Sequence, residues 1–195
     1  VVPLVRENGE PSLGSVRRSL QKLGDFFPDC IIAVGGGSTL DTAKLMLLFL
    51  ECPDVDLDKL KRPFALPPLK KRTRLVAIPT TAGTGSEVSS AAGYRDETTG
   101  AKAVAVSHDF IPDVCILDPR FLKDIPRQVM AASLMDALTH AVEAYVSIVS
   151  NPLAEALAEK AVQVIHRSLP AYAQNRTDEE VILQLQIASY FAGIA

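Results

Sequence analysis

The stretch Asp29–Asp41, which reads DCIIAVGGGSTLD, decides the fold of this chain. Its first part, DCIIAV, is short and almost continuously apolar, as expected of a strand buried in a parallel sheet. A turn of three glycines and Ser38 follows, and helical spacing of apolar residues then runs from Thr39 to Glu51. A strand, a glycine-rich turn and a helix in this order are typical of a parallel α/β sheet.

The neighbouring segments extend the same pattern. Helical spacing of apolar residues predicts a helix over Val16–Phe27. Short apolar runs predict two more buried strands, Leu75–Pro79 and Val114–Leu117. The turn residues Asp96–Gly100, between β-compatible runs, predict a hairpin.

The sequence changes character near residue 125. Helical periodicity with few turn signals predicts three further helices, Gln128–Ser147, Pro152–Ser168 and Asp178–Ala192. We therefore expect an α/β domain over residues 1–125 and an all-helical domain over residues 126–195.

The composition excludes several classes of partner. The 195 residues are 48% apolar and carry a net charge of −3, which argues against a nucleic-acid or anionic-membrane surface. The longest apolar run, Leu45–Leu50, is too short to cross a bilayer. Three scattered cysteines without a CxxC spacing fit a reducing compartment. We therefore expect a cytoplasmic protein with neither nucleic acid nor membrane as partner.

The glycine-rich turn is a candidate phosphate site. Glycines allow a ligand to approach the backbone closely, and the start of the following helix offers free N–H groups and the positive end of its dipole. A capping box is the alternative, in which Ser38 is the N-cap and Asp41 the third helical residue, and it requires no ligand.

A second turn of small residues follows the second predicted strand. It reads PTTAGTGSE over Pro79–Glu87. Ligands of open parallel sheets lie at the carboxyl ends of the strands. Two such turns, offering hydroxyl and backbone N–H groups at one edge of the sheet, predict nucleotide binding.

Asp136 and His140 are candidate metal ligands. Residues four apart lie on one face of a helix, so a carboxylate and an imidazole can bind one ion there, or can form only a local pair. Glu143 is placed to brace His140 or to be a surface charge, and His108 and His166 have no ligand spacing. Protein sites of this kind use three or four ligands, so the pair is half a site.

Three patterns in this order resemble one family. They are GGGS-x-x-D-x-x-K at Gly35–Lys44, PTTAGTGSEV at Pro79–Val88, and D-A-x-x-H-A-x-E-x-Y at Asp136–Tyr145. Together they resemble the iron-containing (group III, metal-dependent) alcohol dehydrogenases over nearly the whole chain.

The resemblance implies a dehydroquinate synthase-like/iron alcohol dehydrogenase fold. In that fold a Rossmann-like parallel-sheet nucleotide-binding domain precedes an all-helical metal-binding domain, with the metal and the nicotinamide in the cleft between them. It also implies site residues by position. Those for the pyrophosphate and adjoining groups are Gly36, Gly37, Ser38 and Asp41; those for the ribose and nicotinamide end are Thr80, Thr81, Ser86 and Lys102; the first two of four metal ligands are Asp136 and His140.

The activity implied by the resemblance is interconversion of an alcohol and an aldehyde or ketone. The implied cofactors are NAD or NADP and Fe²⁺, with Zn²⁺ as an alternative metal, and the implied partners are a small alcohol or aldehyde and a second copy in a homodimer. Glycerol-dehydrogenase-like and maleylacetate-reductase-like enzymes of the same superfamily are alternatives, although the pair of predicted ligands argues against the metal-free reductases.

Both ends of the chain are expected to belong to a longer polypeptide. The sequence begins without Met and ends abruptly at Ala195. The resemblance places two further histidine ligands beyond that end, and a first strand and helix before Val1. The chain as given is therefore expected to be inactive, and a truncated, non-catalytic nucleotide-binding module is the alternative from another class.

Overall fold

The computed structural model describes residues 1–6 and 9–195. These divide into two compact units: Val1–Ala77 with Ser90–Cys115, and Ile78–Ser89 with Ile116–Ala195. The α/β class is confirmed, since a parallel sheet is followed by helices. The domain boundary at residue 125 remains a prediction, and the second unit takes in residues 78–89 in addition to the helices.

Five strands form two sheets in the described ranges. In chain order they are β1 (Cys30–Gly35), β2 (Arg74–Pro79), β3 (Ala91–Arg95), β4 (Lys102–Val106) and β5 (Val114–Cys115). One sheet has the order β1-β2-β5, with β2 and β5 parallel; the other is the antiparallel pair β3-β4, in which Arg95 lies opposite Lys102.

The predicted strands are recovered with two corrections. β5 has only two residues, because the chain leaves the sheet before Asp118, whose side chain caps a 3₁₀ turn. β1 was expected to be buried, but Ile32 is 63% exposed and Val34 46% exposed while Ala33 is buried. The described residues therefore cover β1 on one face only. The hairpin predicted around Asp96–Gly100 is confirmed as β3 and β4.

Five α-helices complete the described fold. They are α1 (Leu13–Gln21), α2 (Gly37–Glu51), α3 (Arg127–Val146), α4 (Pro152–Gln174) and α5 (Glu179–Ile194). The first was predicted three to six residues too far along the chain. It begins after a capping box between Ser12 and Ser15 and ends before Gly24, whose φ of +56° is incompatible with a helix. α4 continues past the predicted end, through Pro170 and the buried Tyr172, to Gln174.

The ligand-free alternative for the glycine-rich turn, a capping box at the start of α2, is not present in the structure. The N-cap is Gly36, the helix begins at Gly37, and Gly36 has no side chain to bond to the first turn. The Oδ2 atom of Asp41 accepts a hydrogen bond from the backbone N–H of Gly93 on β3, at 3.0 Å.

The helices of the second unit pack through alanines. One buried cluster takes two alanines from each of α3, α4 and α5: Ala137, Ala141, Ala158, Ala161, Ala188 and Ala192. Small side chains let helix backbones approach closely, which fixes α3 against its neighbours. The candidate ligands Asp136 and His140 lie next to these alanines along α3 and are half-buried.

Glu51 links the end of α2 to the segment before β2 by hydrogen bonds. Its carboxylate accepts hydrogen bonds from the backbone N–H groups of Lys71, Arg72 and Thr73, at 3.0, 3.0 and 2.9 Å. Burial raises the pKa of this carboxyl, but the three N–H donors and the charge of Lys71 outweigh burial, so the pKa lies below its ordinary value of 4.5.

We expect Glu51→Gln to lower the free energy of unfolding by about 1–2 kcal/mol, because an amide accepts hydrogen bonds more weakly than a carboxylate. A lowered folded-state pKa means that this contribution is present above pH 4.5 and is lost as the pH falls through the folded pKa. Urea unfolding at several pH values measures it. Asp54→Asn, at an exposed residue of the segment between α2 and β2, is the control. An equal pH dependence of the free energy of unfolding in both variants would contradict the role given to Glu51.

Within the described ranges, no helix combines the length and apolar character needed to cross a membrane.

Candidate functional site

The glycine-rich turn leads from β1 directly into α2. Gly36, the N-cap, has an extended backbone, with φ −76° and ψ −179°. Helices α1, α4 and α5 are capped by the side chains of Ser12, Asn151 and Asp178, whereas the N-cap of α2 supplies no side chain. No cap side chain therefore engages its first-turn N–H groups, although the N–H of Thr39 donates to the carbonyl oxygen of Gly36 at 2.8 Å. N–H groups at the start of a helix bind phosphate oxygens well.

Gly35 is required for this turn. A Cβ atom on Gly35 would lie 2.5 Å from Oγ1 of Thr39, in the first turn of α2. The absence of a side chain therefore lets the strand end pass directly under the helix start. Of the predicted phosphate ligands, Gly37 is buried and Ser38 is half-buried.

Asp41 and Lys102 converge on Gly93. A Cβ atom on Gly93 would lie 3.2 Å from Oδ2 of Asp41 and 3.6 Å from Cε of Lys102. The Lys102 side chain is 69% exposed, and its Nζ is 3.7 Å from Oε1 of Glu10. The first unit thus brings two predicted cofactor residues to one glycine, which the sequence did not single out.

The second small-residue turn packs against α3 and α5. A Cβ atom on Gly83 would lie 2.8 Å from the carbonyl oxygen of Ser133 on α3. Gly85 has a φ of +61°, and a Cβ there would lie 2.5 Å from the Cα of Gly193 on α5. Ser133 precedes Asp136 by about one helical turn, so this turn lies close to the candidate metal ligands. Its predicted cofactor residues are half-buried or buried: Thr80, Thr81 and Ser86.

A buried glutamine on α5 was not predicted from the sequence. Gln186 is 1% exposed, and its Nε2 donates to the carbonyl oxygen of Pro79, the first residue of the second turn, at 3.5 Å. Its Oε1 and the Oγ of Ser189, one turn further along, have no hydrogen-bond partner in the described part of the chain. The only available signal was a polar residue at a helical position surrounded by apolar ones.

Asp136 and His140 have the separation of two ligands on one ion. Oδ1 of Asp136 lies 3.6 Å from Nε2 of His140. Two ligands at about 2.1 Å from a tetrahedral metal stand about 3.4 Å apart. A local ion pair fits the same distance. Glu143 is exposed, and no group of three or more His, Cys, Asp or Glu among residues 1–6 and 9–195 could hold a metal.

The two other histidines lie away from this pair in the sequence. The ring of His108 stacks on Phe64, with centroids 4.4 Å apart, and His166 is an exposed residue of α4. Neither histidine has the ligand spacing that singles out Asp136 and His140.

Comparison with known proteins identifies the family. Residues 4–119 match the model "Iron-containing alcohol dehydrogenase", and residues 130–195 match its C-terminal counterpart, "Fe-containing alcohol dehydrogenase family, C-terminal". Aldehyde-alcohol dehydrogenase 2 of Entamoeba histolytica is 38% identical over 194 residues, which are 95% of this chain and 22% of that protein. The NADPH-dependent butanol dehydrogenase of Clostridium saccharobutylicum is 36% identical over 186 residues, 95% of this chain and 47% of that protein.

Solved structures confirm the predicted fold. The alcohol dehydrogenase from Oenococcus oeni superposes with a TM-score of 0.89 at 35% identity, covering 96% of this chain and 48% of that one. The sulfoacetaldehyde reductase from Bifidobacterium kashiwanohense, solved in complex with NAD⁺, gives 0.89 at 29% identity, covering 98% and 50%. The chain thus spans about half the length of these structures, and the family models match most of its residues. The chain belongs to the iron-containing alcohol dehydrogenase family.

Proposed function

We propose that the complete protein interconverts an alcohol and an aldehyde or ketone, using a nicotinamide dinucleotide and a divalent metal. The observation that supports this most directly is local. Two residues with the separation of metal ligands stand about one and two helical turns from Ser133, where the second small-residue turn meets α3. A metal and the nicotinamide must be neighbours if one polarises the substrate and the other takes its hydride.

The first unit would hold the diphosphate end of the cofactor. The N–H groups of Gly37 and Ser38, at the start of α2, would donate to phosphate oxygens. The exposed ammonium of Lys102 would exchange its pairing with Glu10 for a ribose hydroxyl. In the second unit Thr80, Thr81 and Ser86 would offer hydroxyls to the ribose and nicotinamide end.

Asp136 and His140 would supply one carboxylate oxygen and one imidazole nitrogen to the metal, with Fe²⁺ proposed and Zn²⁺ as the alternative. When bound, such an ion stabilises negative charge on the alcohol oxygen by several kcal/mol. A bound nicotinamide would supply the acceptor for a hydride from the alcohol carbon, with the hydroxyl proton released. Relatives of this chain include one named for NADPH and one solved with NAD⁺, so either dinucleotide is compatible with the proposal.

The chain alone is expected to be inactive. With NAD⁺ or NADP⁺, a series of short alcohols and either Fe²⁺ or Zn²⁺, we expect no formation of reduced cofactor above the protein-free rate, because two ligands hold a metal poorly. Absorbance of the reduced cofactor measures this, with a whole relative of the family as positive control. Turnover by the chain would show that two ligands suffice and would contradict the prediction.

Cofactor binding tests the proposed function without requiring activity. The sequence contains no Trp, so the fluorescence of NADH or NADPH can be followed with little protein background. We expect saturable enhancement with at least one of the two dinucleotides. Absence of enhancement and of competition by ADP-ribose would reject the nucleotide-binding part of the proposal.

A non-catalytic nucleotide-binding module is the second candidate function. It is favoured by the absence of a third metal ligand beside Asp136 and His140 among the residues that the structure describes. Cofactor binding without metal binding would support it. Homodimer formation and a cytoplasmic location remain predictions.

A further inference from the structure

A buried lysine on α2 has no role in the assignments above. Lys44 is 0% exposed on a helix whose other buried residues are mostly apolar. Its Nζ donates a hydrogen bond to the carbonyl oxygen of Ala91 on β3, at 2.7 Å. Removing an ammonium group from water costs several kcal/mol unless protein bonds replace its hydration. An apolar side chain of similar volume would avoid that cost, so the charge indicates a directional role at β3.

Asp41 makes the matching contact one turn earlier on the same helix. Its carboxylate accepts the N–H of Gly93, while Lys44 donates to the carbonyl of Ala91, two residues earlier on β3. Alternate residues of a strand direct their backbone groups to the same edge. In the two-stranded sheet, β4 pairs with β3. The two side chains of α2 therefore hold an edge of β3 through one acceptor and one donor.

The strand held in this way supports Lys102. A Cβ atom added to Gly93 would lie 3.6 Å from Cε of Lys102 and 3.2 Å from Oδ2 of Asp41. The aliphatic part of the Lys102 side chain therefore passes over Gly93, next to the Asp41 carboxylate. β4, which carries Lys102, is paired with β3 along its whole length. A shift of β3 relative to α2 would therefore move Lys102 relative to the helix start that carries Gly37 and Ser38.

We propose that Lys44 is a positioning residue for the cofactor: together with Asp41 it fixes β3 at Ala91 and Gly93, and so sets the distance from Lys102 to the phosphate-binding start of α2. This inference rests on the proposed function, because it assigns Lys102 and the helix start to one ligand. Lys44 itself is fully buried and acts through the strand.

The test is a double-mutant cycle on ADP-ribose binding, measured by calorimetry with the whole chain. We expect Lys102→Ala to weaken binding about tenfold, as loss of a charge-assisted hydrogen bond does. Lys44→Met should weaken it by a similar factor, and the double variant by no more than about tenfold. Lys44→Arg, which keeps a cationic donor, should recover part of the affinity. A loss of about a hundredfold in the double variant would show independent effects and overturn the proposal.

A matched control separates positioning from general destabilisation. Leu47→Val removes buried volume from the same helix but no bond to β3, and should leave ADP-ribose affinity within about twofold. Exchange of the Gly93 amide proton, measured without ligand, should speed up at least about tenfold in Lys44→Met and remain unchanged in Leu47→Val.

ADP-ribose binding and exchange of the Gly93 amide proton test the two proposals separately. If the unaltered chain binds no ADP-ribose, the proposed function fails, and the Gly93 exchange alone decides whether Lys44 holds β3. Unchanged exchange in Lys44→Met overturns the positioning role whatever the ligand does.

Discussion

Substitution of Gly85 by alanine is expected to destabilise the second unit by about 3 kcal/mol or more. Two effects add at this position. The φ of +61° is a left-handed conformation that costs an L-residue about 1–2 kcal/mol. The new Cβ would also lie 2.5 Å from the Cα of Gly193, and backbone atoms of a packed helix cannot move aside without shifting α5.

Two other glycines separate these effects. Gly24 has a φ of +56°, and none of the described atoms would lie within 4 Å of a Cβ added there, so Gly24→Ala reports conformational strain alone. Gly193 has no such backbone strain, but its Cβ would lie 2.7 Å from Cα of Gly85, so Gly193→Ala reports the contact, partly offset by better helix propensity. Urea unfolding of the three variants measures the free-energy cost of the backbone strain and of the close contact. A Gly85→Ala loss no larger than that of Gly24→Ala would mean that the turn and α5 are not in close contact.

Metal binding by Asp136 and His140 is expected to be weak and specific. The chain has only three histidines, so their imidazole proton resonances can be followed during a Zn²⁺ titration. We expect the His140 signal to shift with half-saturation at about 0.1–1 mM, since half a ligand set supplies only part of the binding energy of a structural zinc site. Asp136→Asn should raise that concentration at least about tenfold.

His108, whose ring stacks on Phe64, and His166 serve as internal controls, because neither belongs to the assigned pair. Glu143→Gln tests whether the exposed carboxylate three residues beyond His140 holds the ion instead. If Glu143→Gln weakens the His140 response and Asp136→Asn does not, the assigned pair is wrong. If His140 does not respond at all, the pair is only a local ion pair.

The sequence predicted the elements of the site better than their contacts. The order of strand, turn and helix around Gly35–Ser38 follows from apolar periodicity and glycine, which are local properties, and the structure confirms it. The i,i+4 spacing of Asp136 and His140 is also local, and the two side chains do meet. The alternative of a capping box at Ser38 failed because α2 begins at Gly37 and because Asp41 accepts the N–H of Gly93, 52 residues further along the chain.

The contacts of Lys44, Gln186 and Gly85 could not be predicted from the sequence, because each joins residues that lie far apart along the chain. Lys44 lies in a recognised pattern, but its acceptor on Ala91 is 47 residues away. Gln186 reaches Pro79 across 107 residues. The requirement for glycine at position 85 depends on the close approach of Gly193, which no local pattern encodes. Such contacts exist only once each unit has folded.

The most direct test of the central claim, that the start of α2 binds the diphosphate of a dinucleotide, is calorimetric titration of ADP-ribose into the chain and into Ser38→Asp. The helix dipole stabilises a carboxylate in the first turn, so the variant should be at least as stable as the unaltered chain. The same carboxylate would repel a diphosphate. We predict one bound ADP-ribose per chain, weakened at least about tenfold by the substitution. No binding by the chain, or equal binding by a folded Ser38→Asp variant, would contradict the claim.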